Sequence, residues 1–143
     1  MRKRVMMLGL AVLAASGVEA SAFETIGRSD PLRKTLLDSM RPTIEADIGT
    51  PVQFVVDTLQ IEDGWAFFAG TPQHKDGSPI DFMQTRYAEA MEQGMFDGAT
   101  LKVLLEQNGK RWNVVSFSIG ATDVVEAGWP DEYGVPCQLV EYC

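Results

Sequence analysis

Histidine occurs once in this sequence of 143 residues, at His74, and cysteine twice, at Cys137 and Cys143. Structural and catalytic zinc centres need three or four such ligands at set spacings, which this supply does not provide. No Asp/Asn pattern matches a calcium-binding loop either, so no metal site is expected. A G-x-S-x-G nucleophile elbow and a C-x-x-C redox motif are both missing. Gly94-Met95-Phe96-Asp97-Gly98 has the wrong spacing for a phosphate loop and follows a predicted helix, so no nucleotide or other cofactor is implied.

Basic residues are scarce. Twelve Lys and Arg face 20 Asp and Glu, for a formal net charge of −8. Such a chain is repelled by phosphate backbones and anionic lipid, which argues against nucleic acid as a partner. The charge serves solubility, and it also favours a cationic partner.

Long apolar runs are rare too, and the longest opens the chain. MRKRVMMLGLAVLAASGVEASA has a basic start (Arg2, Lys3, Arg4), an apolar core from Val5 to about Ala15 and the small triplet Ala20-Ser21-Ala22. Residues 1–22 therefore read as a secretory signal peptide, with the mature chain starting at Phe23. No other stretch approaches the roughly 20 apolar residues of a membrane span. Signal removal takes away three basic residues and one acid, which moves the formal charge from −8 to −10. The expected location is periplasmic or secreted, and residues 23–143 form one domain of a size that buries a substantial core.

SDPLRKTLLDSMRPTIEADIG offers Ser29 or Asp30 as N-cap, Pro31 at the first helical position and Leu32, Leu36, Leu37, Met40, Ile44 and Ile48 on one face. Pro42 within that pattern predicts a kink, or two short helices meeting there, and Gly49 is the expected stop. From Pro51 the period changes to that of strands. VQFVVDTLQI and WAFFAG flank the turn residues Glu62-Asp63-Gly64 and read as one hairpin. TPQHKDGSPIDF reads as a surface loop, and QTRYAEAMEQG as a short helix ending at Gly94. TLKVLLEQ and KRWNVVSFSIG form a second hairpin through Asn108-Gly109, a type I′ signal. Leu101, Val103 and Leu105 alternate on its first arm, and Val115, Phe117 and Ile119 on its second. The expected fold is α+β: an N-terminal helix, kinked near Pro42, on one face of a curved antiparallel sheet of about four strands. This element order resembles the cystatin-like and NTF2-like folds, which host enzymes, carriers and inhibitors alike.

Cys137 and Cys143 are expected to pair with each other in an exported chain, bonding between chains being the alternative. Extended backbone would hold them about 20 Å apart at roughly 3.3 Å per residue, and helix about 9 Å, against a disulfide reach of about 7 Å. The tail must therefore turn back on itself. Closing so small a loop contributes about 2 kcal/mol in the chain-entropy model, enough to order the terminus.

Candidate chemistry is sparse. His74 lies in a polar loop, and Asp76, Asp81, Asp97 and Asp123 lie in or beside loops where carboxylates are usually turn formers. The aromatic residues Trp65, Phe67 and Phe68 crowd one strand, Trp112 starts another, and Phe82, Tyr87 and Phe96 flank the long connection.

Gly64-Trp65-Ala66-Phe67, Phe96-Asp97-Gly98, Trp112 to Val115, Ile119 to Val124, Trp129 and Tyr133-Gly134 together resemble the pattern of small uncharacterised exported bacterial proteins, over most of residues 29–136. The resemblance implies export and a single compact domain, and carries no activity with it. The favoured expectation is a non-enzymatic binding module for a protein partner or small ligand, with Trp129, Tyr133 and Arg86 as binding residues. The alternatives are a hydrolase- or isomerase-like enzyme using an aromatic pocket with His74, Asp81 and Asp123, and a purely structural envelope protein.

Overall fold

A computed structural model describes residue 9 and residues 23–143. The segment read as a signal peptide lies outside the described residues, apart from Gly9. Asp30 caps the long helix α1 (Pro31–Ile48): its carboxylate accepts from the amide of Leu32 at 2.9 Å, and Pro31, with no amide to satisfy, follows at the first position. Gly49 ends it in the left-handed region, at φ 86°, with its amide on the carbonyl of Glu45. Leu36, Met40, Ile44 and Ile48 recur every four residues and are buried. The helix runs unbroken through Pro42, so two separate short helices do not form. Pro42 is exposed, and there water can serve the carbonyl that its missing amide leaves free.

Among the described residues, five antiparallel strands follow one another across the sheet: β1 (Glu24–Thr25), β2 (Gln53–Glu62), β3 (Trp65–Gln73), β4 (Leu101–Asn108) and β5 (Arg111–Ile119). The four long strands are the two predicted hairpins, and β1 adds a two-residue edge to β2. Asp63 and Gly64, at φ 49° and 79°, form the type I′ pattern between β2 and β3. The second hairpin departs from expectation by one residue. Asn108 pairs with Arg111, so the loop is Gly109-Lys110. Gly109 alone has positive φ, at 64°, which is the type II′ pattern rather than I′.

Two bulges reset which side chains face the helix. In β2 the register shifts between Val56 and Thr58, so Phe54 and Val56 before it and Leu59 and Ile61 after it all meet the α1 side. In β5 the shift sits between Ser116 and Val114, opposite Leu104 and Leu105. Trp112, Val114, Phe117 and Ile119 share the α1 face, while Val115 turns to the other. The simple alternation of Val115 with Phe117 and Ile119 is therefore incorrect, because one inserted residue reverses every later side chain. Gly70, beside the β2 bulge, is required by close approach: a Cβ there would lie 2.0 Å from the carbonyl oxygen of Val55 and 2.7 Å from the ring of Phe68.

The far face of the sheet is covered as well, contrary to the one-sided sheet expected from the sequence. A 3-10 turn (Val125–Gly128), α3 (Trp129–Tyr133) and a second 3-10 turn (Cys137–Val140) lie across it. Trp129, Val135, Leu139 and Val140 pack there on Phe67, Ala69 and Leu104. Each fully buried apolar side chain of this size contributes about 1.5–3 kcal/mol relative to exposure. Gln60 and Glu62 of β2 also face this layer and are buried. The Gln60 amide donates to the carbonyl of Leu139 at 2.5 Å, and Gln138 donates to Glu62 at 2.7 Å. Cys137 and Cys143 are disulfide-bonded with Cα atoms 5.1 Å apart. The required reversal comes at Glu141, at φ 65°, where the amide of Tyr142 reaches back to the carbonyl of Cys137.

Gly70→Ala is expected to lower unfolding stability by about 2 kcal/mol or more, since backbone and ring must both move. A urea titration that leaves the midpoint unchanged would show that this strand tolerates a side chain.

Candidate functional site

The loop after β3 folds on its own polar groups. The amide of His74 donates to the carbonyl of Ser78, and that of Gly77 to the carbonyl of His74. The Asp76 carboxylate accepts from the hydroxyl and amide of Ser78, which holds it below the usual carboxylate range. Asp81 then caps the 3-10 turn Phe82–Gln84 by accepting from the amide of Met83 at 3.0 Å. His74 and Asp81 do share a cleft, of about 250 Å³, with Thr50, Gln84 and Thr85. Asp123 lies elsewhere.

Arg86 is engaged within the protein. Its Nε donates to Asp47 of α1 at 2.7 Å and its Nη2 to the Tyr87 hydroxyl at 2.9 Å, while the Tyr87 hydroxyl donates to the other Asp47 oxygen. Its guanidinium carbon also stands 4.3 Å from the centroid of the Tyr87 ring. The Asp47 carboxylate beside Arg86 pushes the guanidinium up, and burial, then the same carboxylate, pushes the Tyr87 phenol up. Tyr87 stacks with Phe82 and Phe96 at 5.6–6.0 Å between centroids. These groups tie the segment before α2 (Ala88–Glu92) to α1.

Trp129 is 1% exposed and meets Phe67 edge to face, with centroids 6.2 Å apart. Tyr133 is half-buried against the same cluster. A ring so placed packs the far face, and in this conformation it presents no surface to a partner. Asp81, Arg86, Asp123 and Trp129 therefore do not converge on one cavity.

Asp123 instead lines an acidic cleft of about 280 Å³ where β4 begins and β5 ends. The chain leaves β5 through Gly120, at φ 67°, with its amide on the carbonyl of Thr100 and its carbonyl accepting from the amide of Asp97 at 2.9 Å. This turn brings Asp97 and Asp123 to one opening. Lys102 of β4 rises from its floor. Its ammonium sits 2.9 Å from Glu126, in the 3-10 turn before α3, and 5.8 Å from the centroid of Phe67. Glu126 is only 5% exposed. A carboxylate at such depth needs a cationic partner, and Lys102 provides it. Asp97 and Asp123 have no ion-pair partner among the described residues. Hydroxyls of Thr100, Ser118 and Thr122, and the ring of Tyr142, which is 44% exposed, complete the lining.

Sequence reading overlooked Lys102 and Glu126. The available signal was a single lysine inside the apolar run Leu101 to Leu105, where a charge demands a partner. Comparison with protein families, curated proteins and solved structures finds no match.

Trp129→Ala is expected to cost about 3–5 kcal/mol, read as a lowered urea midpoint, because it opens a large cavity against Phe67. An unchanged midpoint would contradict the core placement. The raised phenol of Tyr87 favours the folded state below the ordinary tyrosine range near pH 10, and that contribution is lost as pH rises further. Unfolding free energy should therefore fall above about pH 10 and fall less steeply in Tyr87→Phe. Identical slopes would show that folding does not raise the Tyr87 phenol.

Proposed function

We propose that this chain is an exported, non-enzymatic binding module whose cleft at Asp97, Asp123 and Glu126 receives a positively charged group from a protein partner or small ligand. The observation that carries this reading is the arrangement of charge in the cleft. Lys102 is taken by the buried Glu126, which leaves Asp97 and Asp123 as two carboxylates without a cationic partner among the described residues, beside hydroxyl-bearing side chains and an exposed aromatic ring. An ammonium or guanidinium ion there gains charge-assisted hydrogen bonds, and the Tyr142 ring adds a cation-π surface. The chain's negative charge speeds encounter with cationic species. An oxidised cysteine pair, with no helix among the described residues long and apolar enough to cross a membrane, is compatible with periplasmic or extracellular work.

Binding is favoured over catalysis by how the candidate acids are used. Asp81 serves a helical turn, Glu126 is neutralised by Lys102, and His74 shares its cleft with Asp81 but not with Asp123.

Isothermal titration with a lysine-rich decapeptide tests the proposal against the same peptide with every lysine acetylated. The charged peptide should bind, weaken as salt is raised, and lose roughly tenfold or more in affinity with Asp97→Asn combined with Asp123→Asn. Equal behaviour of the charged and acetylated peptides would discard it.

A further inference from the structure

A second cleft, lined by arginines as well as acids, lies at the opposite edge of the sheet, where β1 ends. Residues 23–143 hold nine Lys and Arg, and four of them, Arg28, Arg33, Lys34 and Arg41, fall within residues 28–41. Lys34 and Arg41 both bind Asp38. Arg28 and Arg33 have no ion-pair partner among the described residues, although both line the same two clefts, of about 430 and 250 Å³. Arg33 is half-buried and its Nη1 reaches the carbonyl of Ile26 at 3.5 Å, which leaves most of its fork free. Two unpaired guanidinium groups beside one cavity, in a chain otherwise rich in acid, fit the planar two-oxygen geometry of a carboxylate.

The larger cleft is also a strand edge. Its lining runs along β2 from Val56 to Gln60. β1 pairs with β2 only at Gln60 and Ile61, followed by one bond from the amide of Ile26 to the carbonyl of Leu59. Among the described residues no strand lies beside the outer edge of β2 from Gln53 to Thr58, and Val55 there is 42% exposed. An edge with unpaired backbone groups is a template for another extended chain. Asp57 and Glu141 line the same cleft with no ion-pair partner among the described residues and offset the arginine charge, so recognition of a carboxylate rests on short-range guanidinium hydrogen bonds rather than on net charge, and a ligand carrying several negative charges is disfavoured.

We propose that this cleft binds an extended peptide, which adds as a strand to the free edge of β2 and places its C-terminal carboxylate on Arg28 and Arg33. The backbone supplies affinity without demanding a particular sequence, and the arginine pair selects for a chain end. This site is independent of the acidic cleft.

Fluorescence anisotropy tests it with a labelled, N-acetylated ten-residue peptide of alternating valine and threonine ending in a free carboxylate, compared with its C-terminal amide. The acid should bind about tenfold or more tightly than the amide, and Arg28→Gln with Arg33→Gln should erase that difference. Arg28→Gln alone, at an exposed position, should shrink it should the double variant fail to fold. Hydrogen exchange at the amides of residues 53–58 should slow when the acid peptide is bound. Absence of binding, equal affinity for acid and amide, or binding with no slowing at those amides would each overturn the proposal.

Discussion

The far face of the sheet cannot be left to solvent, and much of the molecule follows from that. β3 is apolar on both sides: Ala66 and Phe68 belong to the α1 core, Phe67 and Ala69 to the opposite one. The polar residues that share this opposite face, Gln60, Glu62 and Lys102, each find a partner in the C-terminal segment. Leu139 supplies a carbonyl, Gln138 an amide and Glu126 a carboxylate. The same segment thus buries the apolar half of the face and partners most of its polar groups, while the second carboxylate oxygen of Glu62 stays buried with no hydrogen-bond partner among the described residues. The disulfide at the end of this segment holds closed the turn that delivers Leu139 and Val140.

The bulges in β2 and β5 make a two-layer core possible. Each moves its strand's apolar residues by one step, so that Leu59 and Ile61 reach the α1 core and Val115 the opposite one. The candidate clefts lie on the same two strands. The β2 bulge lies beside an edge with no strand partner among the described residues, and the end of β5 feeds the Gly120 turn that gathers Asp97 and Asp123. The arginines without an ion-pair partner among the described residues stand near the start of α1 and the aspartates without one where β5 ends, although Asp57 and Glu141 also line the arginine cleft.

Trp129 shows why residue type alone misplaces function. A tryptophan near a chain end, beside tyrosine and proline, has the composition of an interaction surface. Its neighbour in space is Phe67, more than 60 residues earlier, and burial against that ring makes it a packing residue. Arg86 is a parallel case, since Asp47 lies on α1 and no local pattern connects the two. Lys102 is the opposite case. A lysine inside an apolar strand announces a partner without naming it, and Glu126 becomes its partner only when the chain crosses the far face.

By itself the sequence determined the features that depend on neighbours within a few residues. The Pro31 start and Gly49 stop of α1, with Ser29 or Asp30 as its cap, the turn within Glu62-Asp63-Gly64, the two hairpins, the α+β class and the need for a reversal between Cys137 and Cys143 all rest on local backbone preference and side-chain period. Tertiary structure decided the rest: the bulge positions, the placing of Gly109-Lys110 rather than Asn108-Gly109 in the second turn, the fate of Trp129 and Arg86, and the two clefts. Those outcomes depend on which distant surfaces must be covered and which buried charges must be matched, and such partners are set by the packing of the whole chain rather than by its local pattern.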